Sequence, residues 1–275
     1  MRYSTILTIA GSDSCGGAGI QADIKTISAL GGYACSAITA ITAQNTQGVR
    51  SVQGCSPAVL GDQISAVMED MRIDAVKSGM LFSKELVEVV AEQLKRHRPP
   101  HYVLDPVMVS TSGSRLIEED AIAAVKSQLF PIATMVTPNI PEAEVLSGIG
   151  IKTPEDMTKA ASAIMQTGCR SVLMKGGHLE GQESVDLLFI KGESTPLVLP
   201  SKKIATKNTH GTGCTLSAAI ATYLAHGEDL RSAVTQAHAY LHNAIELGKD
   251  IEQGKGHGPV RHMEMLLKDQ QLPNN

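Results

Sequence analysis

Residues 206–215 of this chain combine residue types and spacing that suit phosphoryl chemistry. Gly211 and Gly213 stand two apart, and an apolar stretch, residues 216–224, follows with the length and composition of a buried helix. The glycines allow backbone N–H groups to turn toward one point, where a helix N-terminus adds partial positive charge. The segment therefore predicts an anion hole formed by Gly211, Thr212 and Gly213, suited to the charge on a phosphoryl group in transfer.

Cys214 lies at the mouth of this predicted anion hole. A thiol at a helix N-terminus can lose its proton below its ordinary pKa. Free cysteines are more often buried and inert, but the place of Cys214 directly after Gly213 favours a functional role. The segment thus predicts a cradle for phosphate together with a base for an alcohol.

Two carboxylates and a lysine follow predicted strands elsewhere in the chain. Asp105 ends one strand, and Glu142 comes shortly after another. Each alone fits a helix cap or a surface carboxylate better, but beside an anion hole the two suit Mg²⁺, which keeps much of its hydration. Lys175, next to Gly176, fits a nucleotide phosphate or an ordinary solvated lysine equally well.

Three other patterns weigh against different kinds of site. Residues 17–22 contain a formal GxGxxA, but the acidic residue that a dinucleotide site needs about 20 positions later is missing. This glycine-rich loop is then either a plain turn or a close backbone approach to a small ligand. The P-loop pattern GxxxxGK[ST] does not occur in the sequence. His238 and His242 are four apart but lack the HExxH pattern, so a metal pair is not indicated.

The composition of the 275 residues predicts one α/β domain, residues 1–275. The net charge of −4 and the 3% of aromatic residues argue against nucleic acid and anionic membranes as partners. No apolar run reaches the roughly 20 residues of a membrane span, and the N-terminus lacks a signal-peptide pattern. Five cysteines without a CxxC pair predict reduced thiols in a cytoplasmic protein.

Apolar runs of strand length alternate with helical patterns along the chain, which predicts a mostly parallel sheet covered on both faces. The strands are expected at 5–10, 37–42, 75–80, 102–105, 135–137 and 171–175. Residues 185–190 and 195–199, with Gly192 between them, predict an antiparallel hairpin at a sheet edge. Ligands of such sheets bind beyond the carboxyl ends of the strands. The residues expected on that rim are Gly11, Gln44, Met80, Asp105, Asn139 and Gly176.

These motifs resemble the bacterial hydroxymethylpyrimidine/phosphomethylpyrimidine kinases of thiamine biosynthesis, within the ribokinase-like superfamily. The resemblance spans nearly the whole chain. It rests on residues 10–13, 16–23, 43–46, 77–81, 104–108, 137–139 with Glu142, 175–178 and 210–215.

The resemblance implies a ribokinase-like three-layer α/β/α fold, commonly a dimer. It implies ATP-dependent phosphorylation of 4-amino-5-hydroxymethyl-2-methylpyrimidine and then of its monophosphate, giving the diphosphate. Cys214 takes the place of the Asp general base of sugar kinases, and the Gln44 amide matches the ring nitrogen and amine of the pyrimidine. The other implied contacts are Gly11, Ala18, Asp23, Met80 and Val107 for substrate, Asp105 and Glu142 for Mg²⁺, and Lys175, Thr209, Gly211 and Gly213 for ATP.

Two alternative functions stay open. A pyridoxal kinase of the same Cys type would also phosphorylate a hydroxymethyl group on a flat ring, and Gln44 argues against it because pyridine lacks the paired amine and ring nitrogen. The other alternative is a catalytically inactive vitamin-binding protein. Such a protein would not need an intact set of catalytic residues, which here are Asp105, Glu142, Lys175, Gly211, Gly213 and Cys214. Residues 16–19 and 110–114 are the candidates for a flap that excludes water.

Overall fold

Short apolar runs bounded by glycine, proline or polar residues form the strands of this chain. The computed structural model describes residues 2–108, 118–177 and 183–263. The strands are β1 (Thr5–Asp13), β2 (Tyr33–Asn45), β3 (Gly48–Gly54), β4 (Ala75–Ser78), β5 (Tyr102–Leu104), β6 (Met135–Val136), β7 (Ser171–Met174), β8 (Glu183–Ile190) and β9 (Leu197–Lys202). The helices are α1 (Gly19–Ala29), α2 (Pro57–Asp70), α3 (Lys84–His97), α4 (Glu119–Ala124), α5 (Ile140–Ser147), α6 (Pro154–Gln166), α7 (Thr212–Ala225) and α8 (Leu230–Gly248).

These strands form one sheet in the order β3-β2-β1-β4-β5-β6-β7-β8-β9. Neighbouring strands from β2 to β7 are parallel, whereas β8 pairs antiparallel with both β7 and β9. The predicted mostly parallel sheet with an antiparallel edge hairpin is therefore confirmed. A second antiparallel pair, β2 with β3, closes the opposite edge and was not predicted.

Consecutive residues of the central strands enter opposite hydrophobic clusters, as the period of two requires. Leu7 and Leu104 pack with helices α2 to α6, while Ile6 and Val103 pack with α1, α7 and α8. Two helical layers therefore cover the two faces of the sheet, which confirms the expected three-layer α/β/α arrangement. Since the central strands are parallel, their carboxyl ends and the loops after them share one edge.

A buried ion pair joins the first helix to the middle of the sheet. Lys77 on β4 places Nζ 2.9 and 2.8 Å from the two carboxylate oxygens of Asp23 on α1, and both side chains have no exposed surface. Thr8 also donates a hydrogen bond of 2.5 Å to Asp23. Although burial works against the lysine charge, Asp23 holds the pKa of Lys77 above its ordinary value.

Replacing only one partner of this ion pair is expected to lower stability more than replacing both. We expect Lys77→Met to lower the free energy of unfolding by about 3–5 kcal/mol, because Asp23 is left as a buried charge without its partner. The double variant Lys77→Met/Asp23→Asn should recover most of that loss, since no buried charge remains. Urea unfolding followed by far-UV circular dichroism measures both changes.

The control is Lys84, which lies in a half-exposed pair with Glu88 at 3.8 Å. Lys84→Met should change stability by less than about 1 kcal/mol. A double variant as unstable as Lys77→Met alone would contradict the argument from the unpaired charge.

Candidate active site

A cavity of about 790 Å³ runs along the carboxyl edge of the sheet. Of the predicted rim, Gly11, Gln44, Met80, Asp105 and Asn139 line it, whereas Gly176 does not and its neighbours Lys175 and Gly177 do. The strand order determines the sequence of side chains along the cavity. Residues at the ends of β1 and β2 and after β4 lie toward one end, and residues of β8 and β9 lie toward the other.

The predicted anion hole lies at the start of α7, in the wall of this cavity. Gly211 precedes the helix in the left-handed conformation, at φ +82°, and Thr209, Thr212 and Gly213 line the cavity beside it. The N–H groups of a first helical turn have no acceptor within the helix. The glycine at 211 is also a packing requirement, because a Cβ there would lie 1.8 Å from the carbonyl oxygen of Gly17.

Cys214 lines the same wall, but its acidity differs from the sequence prediction. The thiol is half-buried, and Gly19 donates a backbone N–H to its sulfur. Burial raises the pKa of Cys214 to about 11; Lys77 pulls in the opposite direction, and the charges of Asp23 and Asp105 add to the increase. The predicted lowering of this pKa is therefore wrong. The helix N-terminus does not outweigh the loss of solvent and the nearby carboxylates.

Asp105, Glu142 and Lys175 meet next to the anion hole. The Nζ atom of Lys175 lies 3.0 Å from Asp105 Oδ1 and 4.0 Å from Glu142 Oε2. Although burial works against its charge, these two carboxylates hold the pKa of Lys175 above its ordinary value. Asp105 also accepts a 3.1 Å hydrogen bond from Thr137. The predicted phosphate-binding lysine and the predicted metal-binding carboxylates thus form one cluster.

Glu142 has a structural role as well as its place in that cluster. It closes a capping box with Asn139 at the start of α5, with hydrogen bonds of 2.8 and 2.9 Å. Burial raises its pKa to about 7, and the charge of Asp105 adds to this. Two carboxylates that both avoid solvent are the ligand set Mg²⁺ takes in nucleotide sites, where phosphates and water complete its shell. The residues therefore fit Mg²⁺.

The other end of the cavity is partly apolar. Gly11, Ala18, Met80 and Val107 line it as expected, and a Cβ at Gly11 would lie 2.4 Å from Met80 Cε. Gln44 is anchored through its backbone, which exchanges two 2.8 Å hydrogen bonds with Ser14. Its amide oxygen lies 3.2 Å from Thr42 Oγ1.

Asp23 is a correction to the predicted substrate set. Its side chain has no exposed surface and does not line the cavity, because Lys77 and Thr8 occupy both carboxylate oxygens. Asp23 lies beneath the cavity floor, so it supports the site instead of contacting a ligand.

The glycine-rich loop, one of the two flap candidates, makes several hydrogen bonds in this conformation. The carboxylate of Asp13 accepts backbone N–H groups from Cys15, Gly17 and Ala18 at 2.8, 3.1 and 2.9 Å. The side chain of Lys25 donates to Gly16 O at 2.7 Å. These contacts hold residues 16–19 in place. The other flap candidate, residues 110–114, and the motif residue His178 lie outside the described residues.

The sequence prediction missed the far end of the cavity. His238, Leu241, His242 and Ile245 lie at helical spacing on α8 and line this end together with Ile204. Asp186 of β8 accepts the Gly176 N–H at 2.9 Å and lies 3.8 Å from His238 Nε2. The i, i+3, i+4, i+7 pattern was visible in the sequence but is equally typical of a core-facing helix.

The family described as phosphomethylpyrimidine kinase matches residues 13–261. The chain is 51% identical to the hydroxymethylpyrimidine/phosphomethylpyrimidine kinase of Rhizobium meliloti over 264 residues, 96% of this chain and 98% of the relative. It is 50% identical to a thiamine biosynthesis bifunctional protein of Geobacter sulfurreducens over 94% of this chain, and spans 52% of that relative's length.

Among solved structures, an ADP complex of Bacillus subtilis pyridoxal kinase is similar at a TM-score of 0.88. The two chains are 35% identical, and the match covers 97% of this chain and 100% of the other. Two kinds of vitamin kinase thus share this architecture. Separately, no helix in the described part of the chain combines the length and apolar character that crossing a membrane requires.

Proposed function

Because this chain belongs to the phosphomethylpyrimidine kinase family, we propose that it transfers the γ-phosphoryl group of ATP to 4-amino-5-hydroxymethyl-2-methylpyrimidine and then to the monophosphate. One observation carries the proposal. The anion hole at the start of α7 lies between the cavity end that holds Gln44 and the cluster of Lys175, Asp105 and Glu142. Acceptor and donor thus have separate places on either side of the transfer point.

The acceptor binds at the end lined by Gly11, Met80 and Val107. The apolar side chains take the faces of the ring, and the Gln44 amide pairs with the ring nitrogen and the amine. This arrangement leaves the hydroxymethyl group pointing toward Cys214. Fixing the alcohol there converts the transfer into an effectively unimolecular step.

The transferring phosphoryl group lies against the first turn of α7. Backbone N–H groups and the charge of Lys175 stabilise the negative charge that spreads over its oxygens. The thiolate form of Cys214 accepts the proton of the hydroxyl group as the new oxygen–phosphorus bond forms, while the bond from the γ-phosphorus to ADP breaks and ADP leaves. In the second phosphorylation the acceptor oxygen belongs to a phosphate and carries no such proton near neutral pH, since the second pKa of a phosphate ester is about 6.

ATP occupies the remaining length of the cavity. Leu241, Ile245 and Ile204 offer an apolar wall for a purine, and Thr209 and Lys175 stand at the phosphate end. Asp105 and Glu142 would hold Mg²⁺, which supplies charge neutralisation on the nucleotide phosphates. A bound divalent cation favours ionised Glu142, whose pKa of about 7 otherwise leaves it part-protonated at neutral pH.

The homodimer implied by the family resemblance and the cytoplasmic location predicted from the cysteines stay proposals. Ile41 of β2 and Val59 of α2, exposed by 62% and 50%, are apolar surface that self-association would cover. All five cysteines are free, in keeping with a reducing compartment. Sedimentation equilibrium of the purified protein gives its oligomeric state and so tests the proposed homodimer.

The direct test is ATP consumption with Mg²⁺ in the presence of hydroxymethylpyrimidine, its monophosphate or pyridoxal. Turnover of both pyrimidines, with weak turnover of pyridoxal, is the expected result. A preference for pyridoxal would make the chain a pyridoxal kinase, the alternative favoured by its likeness to the Bacillus subtilis enzyme. Lack of turnover with all three would support a binding protein.

Gln44→Met should separate the two vitamin substrates. We expect KM for hydroxymethylpyrimidine to rise about 10- to 100-fold, because the ring amine and nitrogen lose their partners inside a closed pocket. Pyridoxal turnover should hold steady or rise. Initial rates over a range of acceptor concentrations give both values.

The matched control is Gln53→Met on the exposed surface of β3, which should leave KM unchanged. An unchanged KM in Gln44→Met would remove Gln44 from ring recognition.

A further inference from the structure

Asp13, at the end of β1, accepts an unusual number of hydrogen bonds. Besides the three backbone N–H groups of the glycine-rich loop, its Oδ2 lies 2.8 Å from Nε2 of His210. The carboxylate is only 3% exposed. Burial pushes its pKa up, but the hydrogen bonds from His210, Ala18 and Cys15 outweigh burial and bring the pKa below its ordinary value. Asp13 is therefore ionised at neutral pH, and Nε2 of His210 carries the proton between them.

His210 contacts three parts of the site at once. It precedes Gly211 in the chain and so fixes the start of the anion hole. Its ring packs against Gly17, where a Cβ would lie 2.4 Å from Cδ2 of the imidazole. Its Nε2 also lies 3.4 Å from the amide nitrogen of Gln44. The backbone N–H of His210 donates to Gly258 O at 3.0 Å, which holds the residue from behind.

The contact with Gln44 follows from the proton position. Because Nε2 donates its hydrogen to Asp13, the imidazole offers Gln44 no lone pair on that side. The two nitrogens touch without a hydrogen bond, and the amide hydrogens of Gln44 stay available for a ligand.

The same residues are close enough to suggest a metal site. Ligand atoms of Asp13, Cys15 and His210 lie within 4.8 Å of one another. Yet the oxygens of Asp13 already accept hydrogen bonds from Cys15, Gly17, Ala18 and His210. The cluster is thus satisfied as a hydrogen-bonded link.

We propose that Asp13 and His210 form a positioning dyad that holds the acceptor pocket and the anion hole in one fixed geometry. The inference rests on the proposed function, because it assigns these residues to the same transfer. Neither residue touches the reacting atoms. They act through Ala18 and Gln44 on the acceptor side and through Gly211 on the phosphoryl side, across a sequence separation of 197 residues.

His210→Phe should lower kcat for both phosphorylations by about 10- to 100-fold, because displacing reacting groups by about 1 Å has an effect of that size. Both steps should lose equally, since both use the anion hole. KM for ATP should change less than kcat, because Lys175 and the far end of the cavity are untouched.

Two further variants keep the test sharp if His210→Phe folds poorly. His210→Gln retains an N–H donor for Asp13 and should recover most of the lost kcat. Asp13→Asn replaces an acceptor with a donor facing the loop N–H groups and should match His210→Phe. The double variant should be no worse than either single one, because the two residues act as a unit. His257→Phe, an exposed histidine in the segment next to His210, is the control.

The outcomes separate three roles. A fall in kcat confined to the first phosphorylation would make His210 an acid–base group and overturn the dyad. A rise in acceptor KM with kcat unchanged would make it only a pocket wall and would also overturn the dyad. If the wild-type protein turns over pyridoxal instead of pyrimidines, the proposed function fails, and the same variants are compared with pyridoxal.

A second readout needs no substrate. The glycine-rich loop covers the Cys214 thiol through Gly19, so loosening the loop should speed alkylation of Cys214 by iodoacetamide, measured by peptide mass spectrometry. An alkylation rate equal to that of the wild type in both His210→Phe and Asp13→Asn would overturn the positioning role.

Discussion

Replacing Cys214 by alanine is expected to slow phosphorylation of the hydroxymethyl group by about 10²- to 10⁴-fold and to leave phosphorylation of the monophosphate nearly unchanged. The alcohol must lose a proton as it attacks, and Cys214 is the group placed to accept it. The monophosphate already presents an anionic oxygen. Single-turnover rates of the purified variant with each acceptor measure the difference.

The pH dependence of the two steps should differ for the same reason. Since burial raises the pKa of Cys214 to about 11, only a small fraction of the thiol is ionised at neutral pH. That fraction grows about tenfold for each pH unit up to the pKa, so the first step should accelerate steadily between pH 7 and 9. The second step should stay level over this range.

Cys169→Ala is the matched control for the loss of a buried thiol. Burial raises the pKa of Cys169 to about 11 as well, but this residue packs in the hydrophobic cluster under α6. It should leave both rates unchanged. Equal losses in the two steps of Cys214→Ala would show that the thiol shapes the site without acting as a base.

Gly211→Ala should abolish most activity toward both acceptors, with a fall of about 10³-fold in kcat. A Cβ at this position would lie 1.8 Å from the carbonyl oxygen of Gly17, which is backbone and cannot rotate away. The start of α7 must therefore move, and the N–H groups that face the phosphoryl group move with it. Steady-state ATP turnover with each pyrimidine measures the loss.

Two kinds of strain have to be separated in this experiment. Gly211 also has φ +82°, which disfavours alanine even where there is room. Gly192, in the turn between β8 and β9, has φ +92° and nothing within 4 Å of an added Cβ. Gly192→Ala thus carries the backbone strain without the collision, and it should keep nearly full activity. Comparable losses in the two variants would mean that the collision at Gly17 is unimportant.

Local sequence patterns predicted most of the parallel strands and their helices, because buried strands and capped helices carry strong local signals. Ser56, Ser83 and Thr153, residue types that favour helix starts, accept capping hydrogen bonds at the starts of α2, α3 and α6. Strand β3 was missed because its residues are half-buried or exposed at a sheet edge. Such a strand needs few apolar residues and resembles a loop.

The site was predicted in its parts, but several of its interactions depend on distant pairing. Asp23 was assigned to substrate because the sequence does not show its pairing with Lys77, 54 residues later. That pair forms only when β4 lies beside β1, the strand that leads into α1. The prediction of a lowered pKa for Cys214 was wrong for a similar reason. A helix N-terminus is visible in a sequence, whereas the depth of burial and the position of Asp105 are fixed only by the folded sheet.

The order of strands along the cavity also divides the chain into two regions with different tasks. The side chains proposed to surround the acceptor ring come from residues 11–108, and those proposed to lie along the nucleotide come from residues 139–245, with Asp105 as the exception. A lineage can therefore exchange one vitamin for another through changes in the first region alone, while the second keeps its hold on the phosphate donor. Similarity of this chain to both a pyrimidine kinase and a pyridoxal kinase is consistent with such a division.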